Sequence, residues 1–210
     1  MNQKNGKNSL GLDVCFGDIN NPIDLFNKWF SEAEKTEIND PNAVAIATSD
    51  KNNQPNVRMV LLKGISEKGF VFYTNLNSKK GAELKNNLKA SMCFHWKSLR
   101  RQVRVLGSVE EVTIQEADEY YNSRPYKNKI GAWASQQSTI LDKRETFLKK
   151  IAEFEKKYNN QNKVPRPPHW SGWRVLPKEI EFWLDGEGRI HERLVYIKQN
   201  LTWEKKLLYP

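Results

Sequence analysis

The sequence predicts a mainly β protein of the α+β class, an antiparallel barrel or sheet with peripheral helices. Strand-like segments follow one another in the first half of the chain and again in its C-terminal third, separated by short polar turns. The helical segments lie between these groups of strands, and strands and helices do not alternate regularly. That order favours an antiparallel barrel or sheet and argues against a doubly wound parallel sheet.

The N-terminal region predicts an arm, a helix and the first strands. Residues 1–20 are polar and predict a flexible arm, which leaves residues 21–210 as a single domain. Apolar residues at helical spacing predict a helix in "NPIDLFNKWFSEAEK". Alternating and β-branched residues then predict strands, bounded by turns such as "DKNNQPN" and "SEKG". These strands cover residues 43–49, 57–65, 70–75, 90–96 and 101–112.

Capping signals place the helices between the strands. Ser78 is the candidate N-cap of a short helix in "NSKKGAELKNN". Thr113 and Glu116 form a capping box that begins a helix through "QEADEYYNSR". A longer helix is predicted in "LDKRETFLKKIAEFEKKY", which carries four apolar residues on roughly one face. After the proline-rich "VPRPPHWSG", four strands are predicted in "GWRVLP", "EIEFWLD", "RIHERLVYIK" and "LTWEKKLLYP".

Composition restricts the classes of function. The 34 Lys and Arg residues exceed the 25 Asp and Glu residues by nine, which favours an anionic partner: nucleic acid, membrane or a phosphorylated small molecule. Seven tryptophans keep nucleic acid open, since aromatic residues can stack on bases. Dinucleotide, P-loop and metalloprotease motifs are absent, and the three histidines are scattered. An enzyme with this sequence is therefore expected to use an organic cofactor.

The sequence also predicts a cytoplasmic protein. No apolar run reaches the length of a membrane span, and the N-terminus has no apolar core of a secretory signal. The two cysteines, Cys15 and Cys93, have no motif spacing, which fits a reducing compartment.

Two basic segments in the first half of the chain are typical of anion sites. In "RMVLLK", Arg58 and Lys63 bracket an apolar run, which by itself fits an ordinary strand with charged ends. In "FYTNLNSKKG", two hydroxyl residues precede Lys79 and Lys80 at a helix start. Free N–H groups and the helix dipole favour a phosphate there, although a plain N-cap is an equal alternative.

A third segment, "EYYNSRPYKNKIGAWASQQS", places Tyr120 and Arg124 one helical turn apart, so that they can share a target. Gln137 and Ser138 supply further neutral donors. The alternative is a solvated helix end.

The fourth segment is "DGEGRIHERLVY", in which Asp185-Gly186 signals a hairpin turn into a strand. Strand alternation then places Arg189, His191 and Arg193 on one face, with Trp183 just upstream. The alternative is a surface strand whose arginines form salt bridges. An unpaired cationic row beside apolar residues costs desolvation unless it meets an anion or a planar ring, which favours a binding function.

Six segments together resemble the pyridoxine (pyridoxamine) 5′-phosphate oxidase family. They are "RMVLLK", "GFVFYTNLNSKKG", "RRQVRVLG", "YYNSRP", "IGAWASQQS" and "IEFWLDGEGRIHERLVY", which occur in the family's order from about residue 40 onward. The resemblance implies a Greek-key-like split β-barrel that forms a homodimer, with FMN at the subunit interface.

The resemblance also implies roles for individual residues. The FMN contacts would be Arg58, Met59, Val60, Leu61, Leu62, Lys63, Tyr73, Thr74, Lys79, Lys80, Gln102, Gln137, Ser138, Trp183 and Arg193. The substrate contacts would be Lys63, Tyr120, Arg124, Asn128, Arg189, Ile190 and His191. Arg58 and Lys80 would chiefly hold the FMN phosphate, and Arg189 and His191 would be the catalytic pair that orients the substrate ring.

The implied reaction is oxidation of pyridoxamine 5′-phosphate or pyridoxine 5′-phosphate to pyridoxal 5′-phosphate, by hydride transfer from C4′ to flavin N5 and reduction of O2 to hydrogen peroxide. Seven basic residues are assigned to this site, so they account for seven of the nine excess positive charges. Neither nucleic acid nor a membrane is then needed as a partner. The alternatives are a related FMN protein with another substrate and a non-catalytic carrier of FMN or pyridoxal phosphate.

The sequence departs from the family pattern in three places. Asn128 stands where the family often has Ser, and Lys79 where Arg is common. The N-terminal arm lacks an Arg…Tyr pair associated with a lid over the substrate.

Overall fold

A computed structural model describes residues 6–159 and 163–210. Its strands are β1 (Ala43–Ser49), β2 (Pro55–Ser66), β3 (Gly69–Asn75), β4 (Lys89–Trp96), β5 (Arg101–Glu111), β6 (Trp170–Leu184), β7 (Glu192–Gln199) and β8 (Thr202–Leu207). Its helices are α1 (Pro22–Thr36), α2 (Lys79–Asn86), α3 (Ile114–Ser123), α4 (Tyr126–Ala134) and α5 (Arg144–Lys157). Single 3₁₀ turns occur at Val14–Phe16 and Glu187–Arg189.

All eight strands belong to one antiparallel sheet in the order β3-β2-β1-β4-β5-β6-β7-β8. A further pairing between β3 and β6 closes the first six strands into a barrel, and β7 and β8 extend it. The predicted fold class, an antiparallel barrel with peripheral helices, is confirmed. None of the helices in the described ranges is long and apolar enough to cross a bilayer.

The barrel closes because β6 is long enough to serve two neighbours. Its first part pairs with β3 and its last part with β7, while β5 runs beside nearly all of it. The sequence predicted two strands here, and that prediction is wrong: Pro177 lies inside β6, opposite a register shift between Leu106 and Gly107. A bulge tolerates a residue that has no N–H to donate, so the strand continues through the proline.

The barrel core is apolar and rich in aromatic residues. Inward-facing positions of β1 alternate with half-exposed ones, and α1 covers the barrel with Leu25, Phe26 and Trp29 fully buried. Phe26 packs edge-on against Phe70 and Phe94, with ring centroids 4.9 Å apart in both pairs. Burying side chains of this size stabilises the fold by about 1.5–3 kcal/mol each, which fixes α1 and the strands that carry the site.

The prediction of a flexible arm over residues 1–20 is wrong for its second half. Leu12, Cys15 and Phe16 are buried in the main core, and the Trp29 indole donates to the Cys15 carbonyl at 2.9 Å. Tyr196 on β7 likewise donates to the carbonyl of Ile19 at 2.7 Å. A few buried apolar residues therefore anchor this otherwise polar segment. Its carbonyl groups also accept the hydrogen bonds that the buried Trp29 indole and Tyr196 hydroxyl require. Residues 1–5 lie outside the described residues, and the assignment of a single domain stays a prediction.

Two helical regions differ in detail from the sequence expectation. Helix α4 was not predicted; it begins after Pro125, whose fixed φ suits a helix start. Helix α5 was predicted, and it begins at Arg144 with no buried residue of its own. Its aromatic residue Phe154 packs against Trp133 of α4, with ring centroids 5.6 Å apart.

Candidate functional site

A first cluster, formed by Thr74, Ser78, Lys80 and Gln137, lies where the end of β3 meets the start of α2. The Lys80 ammonium donates to the Gln137 side-chain oxygen at 2.7 Å and to the Ser78 hydroxyl at 3.3 Å. The Thr74 hydroxyl donates to the same Gln137 oxygen at 3.2 Å. Ser78 is the N-cap of α2, as the sequence predicted, and its hydroxyl accepts from the N–H of Gly81. The fold thus gathers three predicted FMN contacts, which are widely separated in sequence, at one helix N-terminus.

Arg58 extends this cluster from the neighbouring strand β2. Its guanidinium donates to the Thr48 hydroxyl and forms an ion pair with Glu83 at 3.2 Å. Glu83 is 3% exposed and also accepts from the Asn56 amide at 2.7 Å. Glu83 was not predicted as a site residue; the usable signal was a carboxylate three residues after Lys80, which places both side chains on one side of α2. Glu83 holds Arg58 in place beside the first cluster.

The first cluster has the electrostatics of an anion site. Lys80 is 9% exposed, and burial together with the nearby positive charge of Arg58 lowers its pKa to about 8, against a smaller opposing effect of Glu83. A bound anion would counter the repulsion between the two cations and raise the pKa of Lys80. Ammonium, guanidinium, hydroxyl and helix N-terminus together form a donor set suited to a phosphate.

A second cluster consists of stacked rings and one arginine. The rings of Tyr73, Tyr120 and Trp170 are nearly parallel, and the Tyr73 centroid lies 4.0 Å from that of Tyr120 and 5.4 Å from that of Trp170. The Arg124 guanidinium lies 4.6 Å from the centroid of the Trp170 ring. Helix α3 ends at Ser123, so Arg124 reaches Trp170 from an extended C-cap and not from a helical turn shared with Tyr120. Both residues nevertheless contact the Trp170 ring, and that they share a bound target stays a prediction.

A cavity of about 320 Å³ lies beside Arg124. Its lining residues are Asn75, Arg124, Lys127, Asn128, Gly131, Ala132, Ser135, Gln137 and Trp170. One terminal nitrogen of Arg124 is buried and has no hydrogen-bond partner within the described ranges. Burial also lowers the pKa of Arg124. A buried, unpaired guanidinium nitrogen is costly, so this cavity suits an anionic ligand.

The cavity also contains residues that were not predicted as site residues. Lys127 lies between the two predicted substrate contacts Arg124 and Asn128, where its charge was a usable signal. Asn75 and Trp170 come from the strand ends of β3 and β6, which are neighbours only because the barrel closes. Gln137 belongs to both this cavity and the first cluster, so the two anion sites adjoin.

Several predicted residues on β2 lie apart from these clusters. Val60 and Leu62 point toward the barrel core, whereas Met59 and Leu61 are exposed on the outer face. Lys63 is exposed and lines a separate cavity of about 460 Å³ that also contains Glu34. Within one chain, therefore, the fold does not bring Lys63 to the cavity beside Arg124. The remaining predicted contacts Lys79 and Ser138 are exposed next to Lys80 and Gln137.

A third cluster forms a row across β5, β6 and β7, in which Gln102 pairs with Trp183 and Trp183 pairs with Arg193. Arg193 forms an ion pair with Glu181 at 2.8 Å, and Glu181 is 2% exposed. Arg104 pairs with the same carboxylate at 2.8 Å. The expectation of an unpaired cationic row is therefore wrong for Arg193. Glu181 was missed, although alternation in "EIEFWLD" places it on the same face as Trp183.

The strand predicted to begin at Arg189 begins instead at Glu192. Residues 185–191 form a loop in which Arg189 has a φ of 64°, so strand alternation does not put Arg189, His191 and Arg193 on one face. The turn is tight: a Cβ on Gly186 would lie 1.9 Å from the Ile190 carbonyl oxygen. Arg189 and Ile190 are exposed, and the His191 ring lies 4.6 Å from that of Trp183.

The third cluster is separate from the first on the same chain. Arg58 is in register with Ile46 on β1, Met92 on β4 and Val105 on β5, and Gln102 lies three residues beyond Val105. Three strand spacings give about 14 Å across the sheet, and three residues add about 10 Å along it. A single chain thus presents two halves of the predicted FMN contact set at different places.

Comparison with known proteins accounts for nearly the whole chain. Residues 30–158 match the family model described as pyridoxamine 5′-phosphate oxidase. Residues 170–210 match the model described as the pyridoxine 5′-phosphate oxidase C-terminal dimerisation region.

Curated relatives match over almost their full length. The pyridoxine/pyridoxamine 5′-phosphate oxidase of Pelagibacter ubique is 64% identical over 207 residues, covering 98% of this chain and all of the relative. The protein of the same name from Bartonella henselae is 52% identical and covers 97% of this chain and 99% of its own.

Two solved structures have the same fold. PhzG from Burkholderia lata 383, in complex with tetrahydrophenazine-1-carboxylic acid, superimposes with a TM-score of 0.88 at 28% identity, covering 98% of this chain and all of its own. A pyridoxamine 5′-phosphate oxidase-related, FMN-binding protein from Nostoc punctiforme gives 0.72 at 14% identity, covering 90% and 98%. The second likeness concerns the fold alone.

Proposed function

The chain belongs to the pyridoxamine 5′-phosphate oxidase family, and from this premise we propose that it oxidises pyridoxamine 5′-phosphate and pyridoxine 5′-phosphate to pyridoxal 5′-phosphate. The observation that carries the proposal is the presence of two adjoining anion sites. One is built around Lys80 and Arg58, and the other around the unpaired nitrogen of Arg124. A phosphorylated cofactor beside a phosphorylated substrate requires two such sites.

The cofactor is a flavin, and we infer that it is FMN. The first cluster fits its phosphate. The buried ammonium of Lys80 and the guanidinium of Arg58 repel each other, and a phosphate dianion bound between them would offset that repulsion. Lys80 and Arg58 would bind the phosphate, while Thr74 and Gln137 supply further hydrogen bonds. When bound, the flavin supplies the acceptor for a hydride from C4′ of the substrate and passes the two electrons to molecular oxygen, which leaves as hydrogen peroxide.

The substrate phosphate would occupy the cavity beside Arg124. Arg124 offers its unpaired nitrogen, Lys127 adds positive charge, and the Asn128 amide can donate where the family often has a serine. Tyr120 closes one side of this region by stacking on Tyr73. These residues bind and orient the substrate; none of them needs to act as a nucleophile.

The substrate ring would meet the loop of residues 185–191. Arg189 is exposed there, and its planar guanidinium can lie over a pyridine ring. His191 is held against Trp183 and can contact the polar edge of that ring. Ile190 between them is 73% exposed and offers an apolar contact.

The active form would be a homodimer with FMN between the subunits. Three outward residues of β2 form an apolar stripe that is exposed in one chain: Val57 at 70%, Met59 at 62% and Leu61 at 41%. Large exposed apolar stripes are typical of subunit interfaces. A second copy could also bring Gln102, Trp183 and Arg193 to the first cluster, which they do not reach within one chain. The matched dimerisation region, which contains two of these three residues, supports the same assembly.

The two cysteines bear on the compartment in which the protein works. Cys15 and Cys93 are both free, which supports the cytoplasm as its compartment. The cationic groups around Lys80 and Arg124 fit phosphorylated small molecules, so nucleic acid and membrane are not proposed as partners.

The test uses purified protein and four compounds. We expect a flavin absorption spectrum, release of FMN on denaturation, and formation of pyridoxal 5′-phosphate with hydrogen peroxide from either phosphorylated substrate. Unphosphorylated pyridoxine should react poorly, because the cavity beside Arg124 would stay without its anion. Tetrahydrophenazine-1-carboxylic acid tests the alternative suggested by the ligand of the Burkholderia lata structure. Flavin without turnover of either phosphate would contradict the proposal.

A further inference from the structure

The imidazole of His191 is held from one side by the loop that carries it. One carboxylate oxygen of Asp185 lies 3.1 Å from its Nδ1 and accepts a hydrogen bond when that nitrogen carries the proton. The backbone N–H of Gly186 is also 3.1 Å from Nδ1 and donates to it only in the other tautomer, so the carboxylate favours the form with the proton on Nδ1. The neighbouring carboxylate, Glu192, points elsewhere: it pairs with Lys7 at 2.5 Å and accepts from the N–H of Asp13. The loop therefore engages Nδ1, and among the residues that the structure describes none forms a hydrogen bond with Nε2, which is the nitrogen we assign to a ligand.

Asp185 is itself fixed by Arg100, which lies in the turn between β4 and β5. The Arg100 Nε and one terminal nitrogen donate to the second carboxylate oxygen of Asp185 at 3.0 and 2.8 Å. The Asp185 N–H donates back to the Arg100 carbonyl at 3.0 Å. One oxygen of Asp185 thus contacts Arg100 and the other contacts His191. Asp185 therefore links the turn between β4 and β5 to the imidazole.

The arrangement is suited to orientation more than to stability. Side-chain exposures of 60% for Arg100 and 35% for Asp185 mean that solvent screens their attraction. The χ2 torsion of histidine is broad and roughly two-fold, so an unrestrained ring can exchange the positions of its two nitrogens. A hydrogen-bond partner on one ring nitrogen fixes which nitrogen faces the ligand.

We propose that Asp185, anchored by Arg100, is a positioning residue that keeps Nε2 of His191 directed at the substrate. This inference rests on the proposed function, in which His191 contacts the polar edge of the substrate ring. Asp185 touches neither substrate nor flavin in this role; it acts through His191. Loss of its carboxylate should weaken binding of substrate and product while the affinity for FMN stays unchanged.

The first test is made without substrate or product and does not depend on activity. In the FMN-loaded protein labelled with 15N-histidine, there are three imidazoles, and His191→Gln identifies the one of interest. Asp185→Ala should shift the Nδ1 resonance of His191. The 15N chemical shifts of its two ring nitrogens should also become more alike, because neither nitrogen then has a fixed carboxylate partner. An unchanged Nδ1 resonance would overturn the proposal, whatever the protein oxidises.

The second test measures function. Asp185→Ala should raise the KM for pyridoxamine 5′-phosphate and the dissociation constant for pyridoxal 5′-phosphate by about tenfold, the lower end of effects seen when a partner that orients a ligating histidine is removed. The value of kcat should change less than KM, and Asp185→Asn should recover only part of the loss, because its single side-chain oxygen can accept from Arg100 or from Nδ1 of His191 but not from both. In the wild-type protein, pyridoxal 5′-phosphate should perturb Nε2 and not Nδ1.

A matched control separates positioning from general loosening of the sheet. Glu204→Ala breaks an exposed ion pair with Lys206 at 3.1 Å, on the outer strand β8, and should leave KM and the His191 resonances unchanged. Equal effects of Glu204→Ala and Asp185→Ala would refute the positioning role. A wild-type protein that oxidises neither phosphate would contradict the proposed function, and the ligand-free resonances would still decide whether Asp185 holds the ring.

Discussion

Replacing Lys80 by methionine tests the first anion site most directly. The substitution keeps the length of the side chain and removes an ammonium that is 9% exposed and bonded to Gln137 and Ser78. A hydrogen bond to a charged group contributes about 1.5–3 kcal/mol, and little solvent reaches this one to screen it. Because about 1.4 kcal/mol corresponds to a factor of ten, Lys80→Met should weaken FMN binding roughly 10- to 150-fold.

The same substitution should abolish a pH dependence of FMN binding. The pKa of Lys80 is lowered to about 8 without a ligand, and a bound phosphate raises it. The contribution of charged Lys80 to FMN affinity is then fully present below about pH 8. It declines as the pH rises above that value and levels off above the pKa that Lys80 has in the complex. Lys80→Met has no group to titrate there, so its affinity should stay nearly constant over this window.

The assay is titration of the apoprotein with FMN, followed by quenching of flavin fluorescence between pH 6.5 and 9.5. Lys85→Met is the matched control, since Lys85 is an exposed lysine in the last turn of the same helix. It should change the dissociation constant less than about twofold, as expected for a surface charge. Equal affinities of the two variants, or an unchanged pH profile in Lys80→Met, would refute the reasoning.

Three further predictions concern other parts of the molecule. Arg124→Gln should raise the KM for both phosphorylated substrates by about tenfold or more and leave FMN affinity unchanged; a loss of FMN affinity alone would contradict the assignment of the second site. Glu83→Gln should lower the free energy of unfolding of the apoprotein by about 2 kcal/mol in urea, because Arg58 loses a buried partner; equal midpoints would count against that ion pair. Phe16→Ala should lower the same quantity by about 3–5 kcal/mol, because its ring is fully buried against Trp29; an effect below about 1 kcal/mol would show that the N-terminal segment is not part of the core.

Local sequence patterns predicted most of the secondary structure. The positions of β1 to β5, the N-cap Ser78 and the capping box of Thr113 and Glu116 all depend on residues close together in the chain. Strand alternation and helix capping are consequences of backbone geometry, so a single sequence reveals them. The order of the basic segments likewise predicted that Thr74, Lys80 and Gln137 belong to one site, through a family resemblance.

Residue pairs far apart in sequence were decided by the tertiary structure. The sequence predicted an unpaired cationic row, yet Arg193 is paired with Glu181 across β6 and β7, because strand register alone determines which side chains face each other. The same holds for Glu83, whose partner Arg58 comes from another strand. Neither pairing has a local signature, since each depends on how the barrel closes.

The sequence by itself therefore determined the fold class and most of the elements, and it predicted two phosphate sites. Tertiary structure decided that Pro177 lies within one continuous strand, that Phe16 belongs to the core, and that Arg189 and His191 lie in a loop. In the first two cases a contact between distant segments outweighed a local preference: a bulge accepts the proline, and the Trp29 indole donates to the Cys15 carbonyl. In the third, a tight turn at Gly186, which lies against the Ile190 carbonyl, replaces the predicted start of the strand. Periodicity describes a segment alone, whereas these outcomes depend on the surface against which the segment packs.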